Sequence, residues 1–514
     1  MVEIHLDGQS VDCEQVWQVA YRKSPVRVVL AESAREKMQE SKDYIQGRLD
    51  SGEVMYGVNT GFGAFSSVKI SDKDIEELQR NLIRSHSVGI GEPFSIPETR
   101  AIMFLRANAL ARGHSGIRVD VVDKILEFLN ADVIPVIPQQ GSVGASGDLA
   151  PLSHLALALI GEGEVWRGRD HVEVASVLQE KQMEPLTLKA KEGLSLINGC
   201  QVMTAVGLLN TREARRLAWI TDLAGAMSLE ALHGSRKAFD PLISATRPHP
   251  GEIKTARNML NLLGDTSEIA ESHKDCDRVQ DAYSLRCIPA VHGAAKDAIR
   301  RTIETLEIEA NSSTDNPLVF AADNKVLSCG NFHGEPVAFA LDFAGIAISA
   351  MASISECRIE KLINPAMSGL PAFLAADGGL NSGMMIVQVA AAALVSENKI
   401  LAHPASVDSI PTSADKEDHV SMGTIASRKL GQIVRNAEHI VAMELLCASQ
   451  ALGFLDPKRP SSAVVAVYDV LREAGISFAE KDRVYSQDIK KIRSMIRSGE
   501  IIQTIEKSVG RLEW

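Results

Sequence analysis

The chain has 514 residues, of which 45% are hydrophobic, 23% are charged and only 4% are aromatic, and its formal net charge is -12. This composition is typical of a globular protein with a large core or several domains, and abundant Ala, Leu, Ile, Met and Glu favour helix over strand. The negative charge balance, without a clustered basic stripe, argues against nucleic acid as a partner.

The N-terminal part of the chain mixes strand and helix patterns. It opens without a basic segment followed by an apolar run, so we expect no signal peptide. The segments VEIHL and VRVVL predict short strands, and SDKDIEELQRNLIRSHSVG predicts a helix, because cap residues precede apolar residues at helical spacing. We therefore predict an N-terminal mixed domain over residues 1–110.

Helical patterns dominate after Gly113 and Gly116 interrupt the sequence. LNTREARRLAWITDLAGAMSLEALHG predicts one long helix, and GEPVAFALDFAGIAISAMASISECRIEKLI predicts another that is apolar nearly all round and therefore buried among other helices. The most apolar stretches, such as GMMIVQVAAAALVSEN, are too short for a bilayer, which takes about 20 residues. We predict a large helical-bundle domain over residues 111–514 and no membrane contact.

The seven cysteines are scattered along the chain without a CxxC pair. This pattern supports neither a zinc site nor a disulfide framework, so we expect free thiols in a reducing compartment and no bound metal. A cytoplasmic location follows from this interpretation.

A glycine-rich segment, PQQGSVGASGDLAPLSH, covers residues 138–154. Gly141, Gly144 and Gly147 form GxxGxxG, which is neither the dinucleotide-binding GxGxxG nor a phosphate-binding P-loop. Ser146 stands in GASGD rather than in the GxSxG of hydrolases. Two interpretations remain open: a tight turn that leads into a helix with Pro151 in its first turn, and a covalent chemistry of the backbone itself.

The covalent interpretation rests on Ala145, Ser146 and Gly147. Attack of the Gly147 nitrogen on the Ala145 carbonyl closes a five-membered ring. Loss of water from the ring and of the Ser146 hydroxyl then leaves a conjugated exocyclic methylidene, which is an electrophile that needs no external cofactor. Peptides resist this closure, so the loop must be held compressed by its surroundings.

GSVGASGDLAPLS resembles the active-site signature of the aromatic amino acid ammonia-lyases, in which Ala-Ser-Gly becomes a methylidene-imidazolone (MIO) group. Other family motifs occur in the same order: YGVNTGFG (56–63), NLIRSHSVGIGEP (81–93), INGCQ (197–201), QDAYSLRCIP (280–289), STDNPL (313–318), GNFHGEP (330–336) and KEDHVSM (416–422). The resemblance covers nearly the whole chain. It implies a mainly α, elongated helical bundle of the fumarase/aspartase-like type, assembled as a homotetramer with active sites shared between subunits.

The resemblance also implies catalytic roles. Deamination needs an electrophile for the amine, which Ala145, Ser146 and Gly147 would supply, and a base for the poorly acidic β-proton. Tyr56 resembles the family's tyrosine base, and Tyr283 resembles the second family tyrosine, beside the amine. A packing role for Tyr56 in a glycine-rich turn is the alternative.

Further residues resemble the family's substrate-binding set. Arg286 would grip the substrate carboxylate in a two-bond fork, with Gln280 in support. Because Gln280, Tyr283 and Arg286 stand three residues apart, a helix would present them along one drifting face, which is equally the pattern of a polar bundle face. Asn198 resembles the asparagine that steadies the MIO group, and Phe332 resembles an aromatic wall.

Without the resemblance, Glu417 would be interpreted as one residue of a solvent-exposed charged run. The resemblance implies instead that it faces the substrate. Its carboxylate would either hydrogen-bond the substrate ring or exchange a proton with it, and the sequence leaves both roles open. The nearby His419 has no metal-like partner spacing, so we expect a structural role for it.

The pair Ser85-His86 bears on the choice of amino acid. Family members that act on tyrosine carry His-Leu here and those that act on phenylalanine carry Phe-Leu, whereas Ser-His is the pattern of those that act on histidine. A buried imidazole needs polar partners, and His86 can supply one where leucine cannot. We expect L-histidine as the substrate, with trans-urocanate and ammonia as products. The alternatives are a tyrosine or phenylalanine lyase or aminomutase, and an inactive helical scaffold.

Overall fold

The structure is a computed structural model that describes residues 2–61 and 70–514. Phe62 and Gly63, the last two residues of YGVNTGFG, lie outside the described residues. Helices dominate the described chain, so the predicted mainly α class is confirmed. The residues group into two compact units, each built from three segments of the chain.

The first unit consists of the described residues up to Asn210 together with Thr302–Asp342 and Pro404–Arg428. The helices that lie wholly within it are α1 (Cys13–Tyr21), α2 (Glu32–Asp50), α3 (Ile75–His86), α4 (Ile96–Ala111), α5 (Val119–Asn130), α6 (Leu149–Leu159), α7 (Val174–Lys181) and α8 (Glu192–Ile197). The predicted boundary at residue 110 falls next to the end of α4, and it stays a prediction.

The strands belong to the first unit and form two-stranded pairs. β1 (Val2–Leu6) pairs in parallel with β2 (Val26–Leu30), with Val2 opposite Val26, so both predicted strands are confirmed. The antiparallel pairs are β3 (Ile90–Pro93) with β4 (Pro138–Gln140), β5 (Glu164–Arg167) with β6 (Asp170–Glu173), and β7 (Leu318–Phe320) with β8 (Lys325–Leu327).

The second unit consists of Thr211–Arg301, Phe343–His403 and Lys429–Trp514. Its helices are α10 (Pro241–Thr246), α11 (Pro250–Leu263), α12 (Glu268–Ser272), α13 (Tyr283–Arg286), α16 (Pro365–Ser368), α17 (Met385–Leu401), α19 (Ser462–Glu473), α20 (Tyr485–Ser498) and α21 (Glu500–Val509). Four further helices contribute residues to both units: α9 (Gln201–Ala231), α14 (Ile288–Ala310), α15 (Glu335–Ile363) and α18 (Gly423–Gly453).

Three helix predictions can be compared directly with these elements. The helix predicted from SDKDIEELQRNLIRSHSVG is α3, which begins at Ile75 after a 3-10 turn and ends at His86. The two long predicted helices are α9 and α15. The α3 segment keeps its apolar positions at helical spacing, and the α9 and α15 segments run over many residues without a proline after the first turn, so local pattern was enough to predict all three helices.

The apolar helix α15 corrects one expectation. By length and composition alone it could cross a membrane, so the prediction that the apolar stretches are too short is wrong for this helix. However, 56% of its most apolar window is buried inside the protein. A helix that is apolar on most sides and packed by protein has the properties of a core helix, as the sequence predicts.

Candidate active site

The glycine-rich loop connects β4 to α6 through a backbone that requires glycine. Gly144 and Gly147 have φ angles of +75° and +73°, in the left-handed region that side chains disfavour. The two residues form an isolated antiparallel bridge with each other, and Gly147 also bridges to Gly199. A Cβ on Gly147 would overlap the Gly199 carbonyl. Ala145 and Ser146 therefore form the tip of a tight turn between two bridged glycines.

Segments far away in the sequence hold this turn from two sides. The Asp148 nitrogen donates to the Gly199 oxygen at 2.7 Å, and the Gly199 nitrogen donates to the Ser146 oxygen at 3.3 Å. The Met422 nitrogen donates to the Val143 oxygen at 2.9 Å. INGCQ and KEDHVSM thus supply the constraint that backbone ring closure requires.

Asp148 anchors the loop to the start of α9. One of its carboxylate oxygens accepts hydrogen bonds from the Val202 and Met203 nitrogens at 2.9 and 3.0 Å, and the other accepts one from the Thr424 hydroxyl. These nitrogens belong to the first turn of α9, whose donors lack partners within the helix. Complete burial raises the pKa of Asp148 to about 6, although its hydrogen bonds act in the opposite direction.

Glu417 faces the same loop and is held by three hydroxyl groups. Its Oε1 accepts a hydrogen bond from Ser146 Oγ at 3.1 Å. Its Oε2 accepts hydrogen bonds from Thr412 Oγ1 at 2.9 Å and Ser413 Oγ at 2.7 Å. The carboxylate is therefore directed at the Ala-Ser-Gly turn. The sequence analysis assigned no role to Thr412 or Ser413, and no motif on which it relied contains them.

His86 is the half-buried last residue of α3. Its Nδ1 lies 2.9 Å from the Leu82 carbonyl oxygen, and because a carbonyl only accepts, Nδ1 carries the proton. Burial lowers the pKa of His86, and this effect outweighs the Leu82 hydrogen bond and the negative charge of Glu417. The result is a neutral imidazole whose Nε2 is a hydrogen-bond acceptor.

Asn198 is buried below the loop with one oxygen unused. Its side-chain Nδ2 donates to Asp315 Oδ1 at 3.2 Å, and its backbone carbonyl oxygen accepts a hydrogen bond from Arg106 Nη1 at 2.9 Å. Within the described part of the chain, Asn198 Oδ1 is buried and has no hydrogen-bond partner. A buried acceptor without a donor costs about 1–3 kcal/mol, so this oxygen is suited to a group that brings a donor.

Asp315, in the STDNPL motif, supports Asn198 although the sequence analysis gave it no role. Its Oδ2 accepts hydrogen bonds from Lys191 Nζ at 2.7 Å and Ser195 Oγ at 2.8 Å, and all three side chains are buried. Burial alone would raise the pKa of Asp315, but the Lys191 ammonium group, the Arg106 charge and the hydrogen bonds together outweigh burial and lower it. In the sequence, the one feature that could have indicated this role is the position of Asp315 inside the STDNPL motif.

The other two candidates in the first unit are half-buried. Tyr56 lies in the turn between α2 and α3. Phe332 lies between β8 and α15, and its carbonyl oxygen accepts a hydrogen bond from the buried Cys200 thiol at 3.0 Å. The first unit therefore contains Tyr56, His86, Ala145, Ser146, Gly147, Asn198, Phe332 and Glu417.

Gln280, Tyr283 and Arg286 belong to the second unit. Tyr283 and Arg286 are the ends of α13, and the Arg286 guanidinium lies 4.5 Å from the centre of the Tyr283 ring. Gln280 precedes this helix, so the three side chains do not share one helical face as their spacing predicts. Arg286 Nε donates a hydrogen bond to the Asp281 carbonyl oxygen at 3.0 Å. Tyr283 is 72% exposed to solvent.

A model of the aromatic amino acid lyase family matches residues 11–473. The chain belongs to the aromatic amino acid lyase family. This lyase is 48% identical over 503 residues to the histidine ammonia-lyase of Stigmatella aurantiaca, covering 98% of both chains. The predicted class of enzyme, a carbon–nitrogen lyase, is therefore confirmed. The enzymes of this family are of the MIO type.

Two solved structures resemble the lyase along its whole length. Histidine ammonia-lyase from Trypanosoma cruzi matches with a TM-score of 0.92 and 43% identity, covering 99% of this chain and 96% of that one. Tyrosine aminomutase from Streptomyces globisporus matches with a TM-score of 0.94 and 37% identity, covering 100% of both chains. The second similarity names a specific alternative activity, that of a tyrosine aminomutase.

The residues of this lyase fit an MIO group. Ala145 and Ser146 occupy the tip of the turn, and Gly147 stands where only glycine fits. The Glu417 carboxylate accepts a hydrogen bond from Ser146, and Asn198 immediately precedes Gly199, which bridges Gly147. The tight approach of Gly147 to the Gly199 carbonyl, where a Cβ would not fit, is the observation that supports the fit, because ring closure needs a compressed backbone.

Proposed function

We propose that the protein is a histidine ammonia-lyase, which converts L-histidine to trans-urocanate and ammonia without oxidation, the first step of histidine degradation. The observation that carries this proposal is the 2.9 Å hydrogen bond from His86 Nδ1 to the Leu82 carbonyl oxygen, which leaves Nε2 as an acceptor for a substrate ring. The 48% identity to the Stigmatella aurantiaca enzyme supports the same substrate.

His86 is matched to an imidazole ring by its hydrogen-bonding state. Because Nδ1 donates to Leu82, Nε2 can accept the N–H of a neutral substrate ring. A leucine in this position would leave that N–H unpaired, at about 1–3 kcal/mol. Glu417 offers a second acceptor, so the two side chains together would satisfy an imidazole better than a phenyl ring.

We infer that Ala145, Ser146 and Gly147 form the MIO group autocatalytically and that no external cofactor is needed. When present, the group supplies an electrophile that makes the substrate amine a better leaving group. Ser146 gives up its hydroxyl, and Glu417 Oε1 accepts a hydrogen bond from that hydroxyl at 3.1 Å. Asn198 Oδ1 would accept a hydrogen bond from the substrate amine, because the closed ring retains no N–H or O–H that could donate to this buried oxygen.

The remaining candidates complete the proposed reaction. Tyr56 would remove the β-proton as its phenolate. Arg286 would bind the substrate carboxylate through two parallel hydrogen bonds, with Gln280 in support. Tyr283 would stand beside the amine, and Phe332 would wall the pocket.

We also propose a cytoplasmic homotetramer whose active sites combine residues of different subunits, with no nucleic acid and no membrane as partner. Exposure of 72% is unusual for a tyrosine that works in catalysis, and a neighbouring subunit would cover Tyr283. Arg286 lies against the same ring and would enter the shared site with it.

A tyrosine or phenylalanine lyase or aminomutase is the second candidate, supported by the similarity to tyrosine aminomutase. The Ser85-His86 pair favours histidine, because the family members for tyrosine carry His-Leu at these positions. An inactive scaffold is disfavoured because the Ala-Ser-Gly residues, both tyrosines and Arg286 are all present.

The test is a comparison of three substrates with purified enzyme. Turnover of L-histidine is followed at the urocanate absorbance band, and L-tyrosine and L-phenylalanine are followed at the bands of their cinnamate products. Ammonia release separates a lyase from an aminomutase, which keeps the nitrogen in its product. Efficient release of ammonia from histidine alone is expected. Preference for either other amino acid would contradict the proposal.

A further inference from the structure

A second cluster of ligating side chains lies in the first unit, outside the residues assigned to catalysis. It consists of His333 and Glu335 from GNFHGEP and His419 from KEDHVSM. One nitrogen of each imidazole and one carboxylate oxygen lie within 4.8 Å of one another. Glu335 Oε2 is 3.9 Å from His333 Nδ1 and 3.9 Å from His419 Nε2.

The hydrogen bonds of His333 prepare Nδ1 for a ligand. Nε2 lies 3.2 Å from the His419 carbonyl oxygen, so Nε2 carries the proton and Nδ1 keeps a lone pair. Nδ1 accepts only a long hydrogen bond, 3.3 Å, from the Glu335 nitrogen among the bonds found in the described chain. An imidazole whose second nitrogen donates to a carbonyl is the usual arrangement of a metal-binding histidine.

Glu335 supplies an oxygen that needs a partner. Its Oε2 is buried and makes no hydrogen bond to any described residue. The 3.9 Å distances to both imidazole nitrogens exceed hydrogen-bonding reach, so a shared proton does not satisfy this oxygen. A zinc ion bonds such atoms at about 2.0–2.2 Å in a tetrahedral arrangement, so its ligand atoms stand roughly 3.4 Å apart, somewhat closer than the 3.9 Å found here.

We propose that His333, Glu335 and His419 bind one divalent transition metal ion, such as Zn²⁺. Two imidazoles and one carboxylate are a ligand set that zinc and its neighbours in the first transition row accept, whereas Mg²⁺ and Ca²⁺ prefer oxygen ligands alone. The His419 side chain is 66% exposed, so ions and water can reach the site. An ion would draw the ligand atoms together by about 0.5 Å or more, which the exposed His419 side chain can provide.

The ion would join two segments that carry proposed site residues. Phe332 immediately precedes His333, and Glu417 stands two residues before His419. The rings of His333 and His419 are already stacked, with centroids 5.7 Å apart and planes 6° apart. The metal is therefore a positioning element for the candidate site, and no step of the proposed reaction passes through it.

The competing interpretation is an ion pair in which a protonated imidazole, rather than a metal, balances Glu335. Metal titration distinguishes the two. The full-length protein is treated with a chelator, desalted and titrated with Co²⁺, whose visible absorbance reports the number and kind of ligands. One Co²⁺ per chain, displaced by Zn²⁺, is the expected result.

Variants locate the binding site. His419→Gln removes an exposed ligand, so it should fold normally and bind Co²⁺ at least about tenfold more weakly, and Glu335→Gln should weaken binding as well. His5→Gln is the matched control, because His5 also stands beside a carboxylate, 3.2 Å from Glu3, without a third ligand. This control should bind like the wild type.

Two results would overturn the proposal. One is Co²⁺ binding that is absent or equally strong in wild type and His419→Gln. The other is an intense near-ultraviolet thiolate band, which would place the ion on the exposed Cys276 or Cys357 instead. Thermal unfolding of the chelated proteins, which should be equal for wild type and His419→Gln, shows that lost binding is not lost folding.

Discussion

Ser146 Oγ donates a hydrogen bond to Glu417 Oε1 across 3.1 Å, although 271 residues separate the two in the chain. The bond joins the hydroxyl that ring formation must expel to a carboxylate that can hold a proton. Thr412 and Ser413 donate to the other oxygen of Glu417, so the carboxylate is fixed in this orientation. Glu417 thus has a defined position at the loop before any substrate binds.

The first prediction concerns this carboxylate. Glu417→Gln replaces one accepting oxygen by an NH₂ group that can only donate, while hydroxyl groups donate to both oxygens in the wild type. We expect histidine turnover to fall roughly 10- to 100-fold, equivalent to about 1–3 kcal/mol. Steady-state kinetics measure the loss. Asp418→Asn, an exposed neighbour, is the control, and equal activity of both variants would contradict the role.

The second prediction concerns the prosthetic group. If Ser146 supplies the methylidene, the mature protein weighs two water molecules less than its sequence, which intact-mass spectrometry measures. Ser146→Ala should show no such MIO mass and no turnover, while its fold is kept because only a hydroxyl is removed. Ser153→Ala is the control, since this buried hydroxyl in α6 donates to a carbonyl of its own helix, that of Leu149, at 2.7 Å. Active enzyme with the full unmodified mass would disprove ring formation.

The third prediction uses the pKa of Asp148, which is about 6 in the folded protein against an ordinary value of 3.8. Between pH 4 and 6 the folded state therefore holds a proton that the unfolded chain has released. Stability from this group is highest near pH 4 and falls as pH rises towards 6, above which the loss is complete.

Asp148→Asn removes the titrating carboxyl group. As pH rises from 4 to 6, the melting temperature of the wild type should therefore fall relative to that of the variant, and above pH 6 the difference between the two should stay constant. Thermal unfolding across this range measures it. Asp170→Asn, at an exposed position in β6, shows the effect of removing a surface carboxylate. Parallel profiles for wild type and Asp148→Asn would show that the buried carboxyl has no raised pKa.

The fourth prediction tests substrate choice at His86. Because Nε2 of His86 would accept the substrate N–H, His86→Leu should lower the efficiency for histidine by roughly 10- to 100-fold. Most of the loss should appear in KM if the contact is equally strong in the ground and transition states. Phenylalanine should suffer less, because leucine suits an apolar ring. A parallel fall for both substrates, or unchanged use of histidine, would make His86 structural and move selectivity to Glu417 and Phe332.

The fifth prediction tests whether subunits share the active site. Ser146→Ala and Arg286→Gln are each expected to be inactive, and mixed tetramers should recover part of the activity when one chain supplies the loop and another the arginine. Ser146→Ala mixed with Glu417→Gln is the control without recovery, because these two side chains bond within one chain. Equal results from both mixtures, with mixed tetramers proven by mass, would place the whole site in one chain.

Local pattern alone predicted much of this protein. The strands β1 and β2, the helices α3, α9 and α15, and Pro151 in the first turn of α6 all follow from residues within a few positions of each other. The same reasoning singled out Ala145, Ser146 and Gly147, because a cyclising loop needs small residues next to one another. Periodicity and glycine placement are properties of the sequence itself, so they survive without tertiary information.

Sequence spacing does not determine which residues meet when they come from distant parts of the chain. Gln280, Tyr283 and Arg286 repeat at three-residue intervals, but α13 begins only at Tyr283, so Gln280 lies outside it. His419 lacks a neighbour at metal-binding spacing, yet the fold places it beside His333, 86 residues away in sequence. Neither arrangement depends on nearby residues, and no local pattern could have indicated them.

Tertiary structure decided which polar groups meet. The chain path brings Glu417 to Ser146, directs Asp148 at the first turn of α9, and leaves Asn198 Oδ1 buried without a partner in the described chain. Burial then sets the electrostatics, since the raised pKa of Asp148 and the neutral imidazole of His86 arise mainly from desolvation. The sequence determined which chemical groups this protein has, whereas their partners and charge states required the fold, because both depend on burial and on residues as far as 271 positions apart.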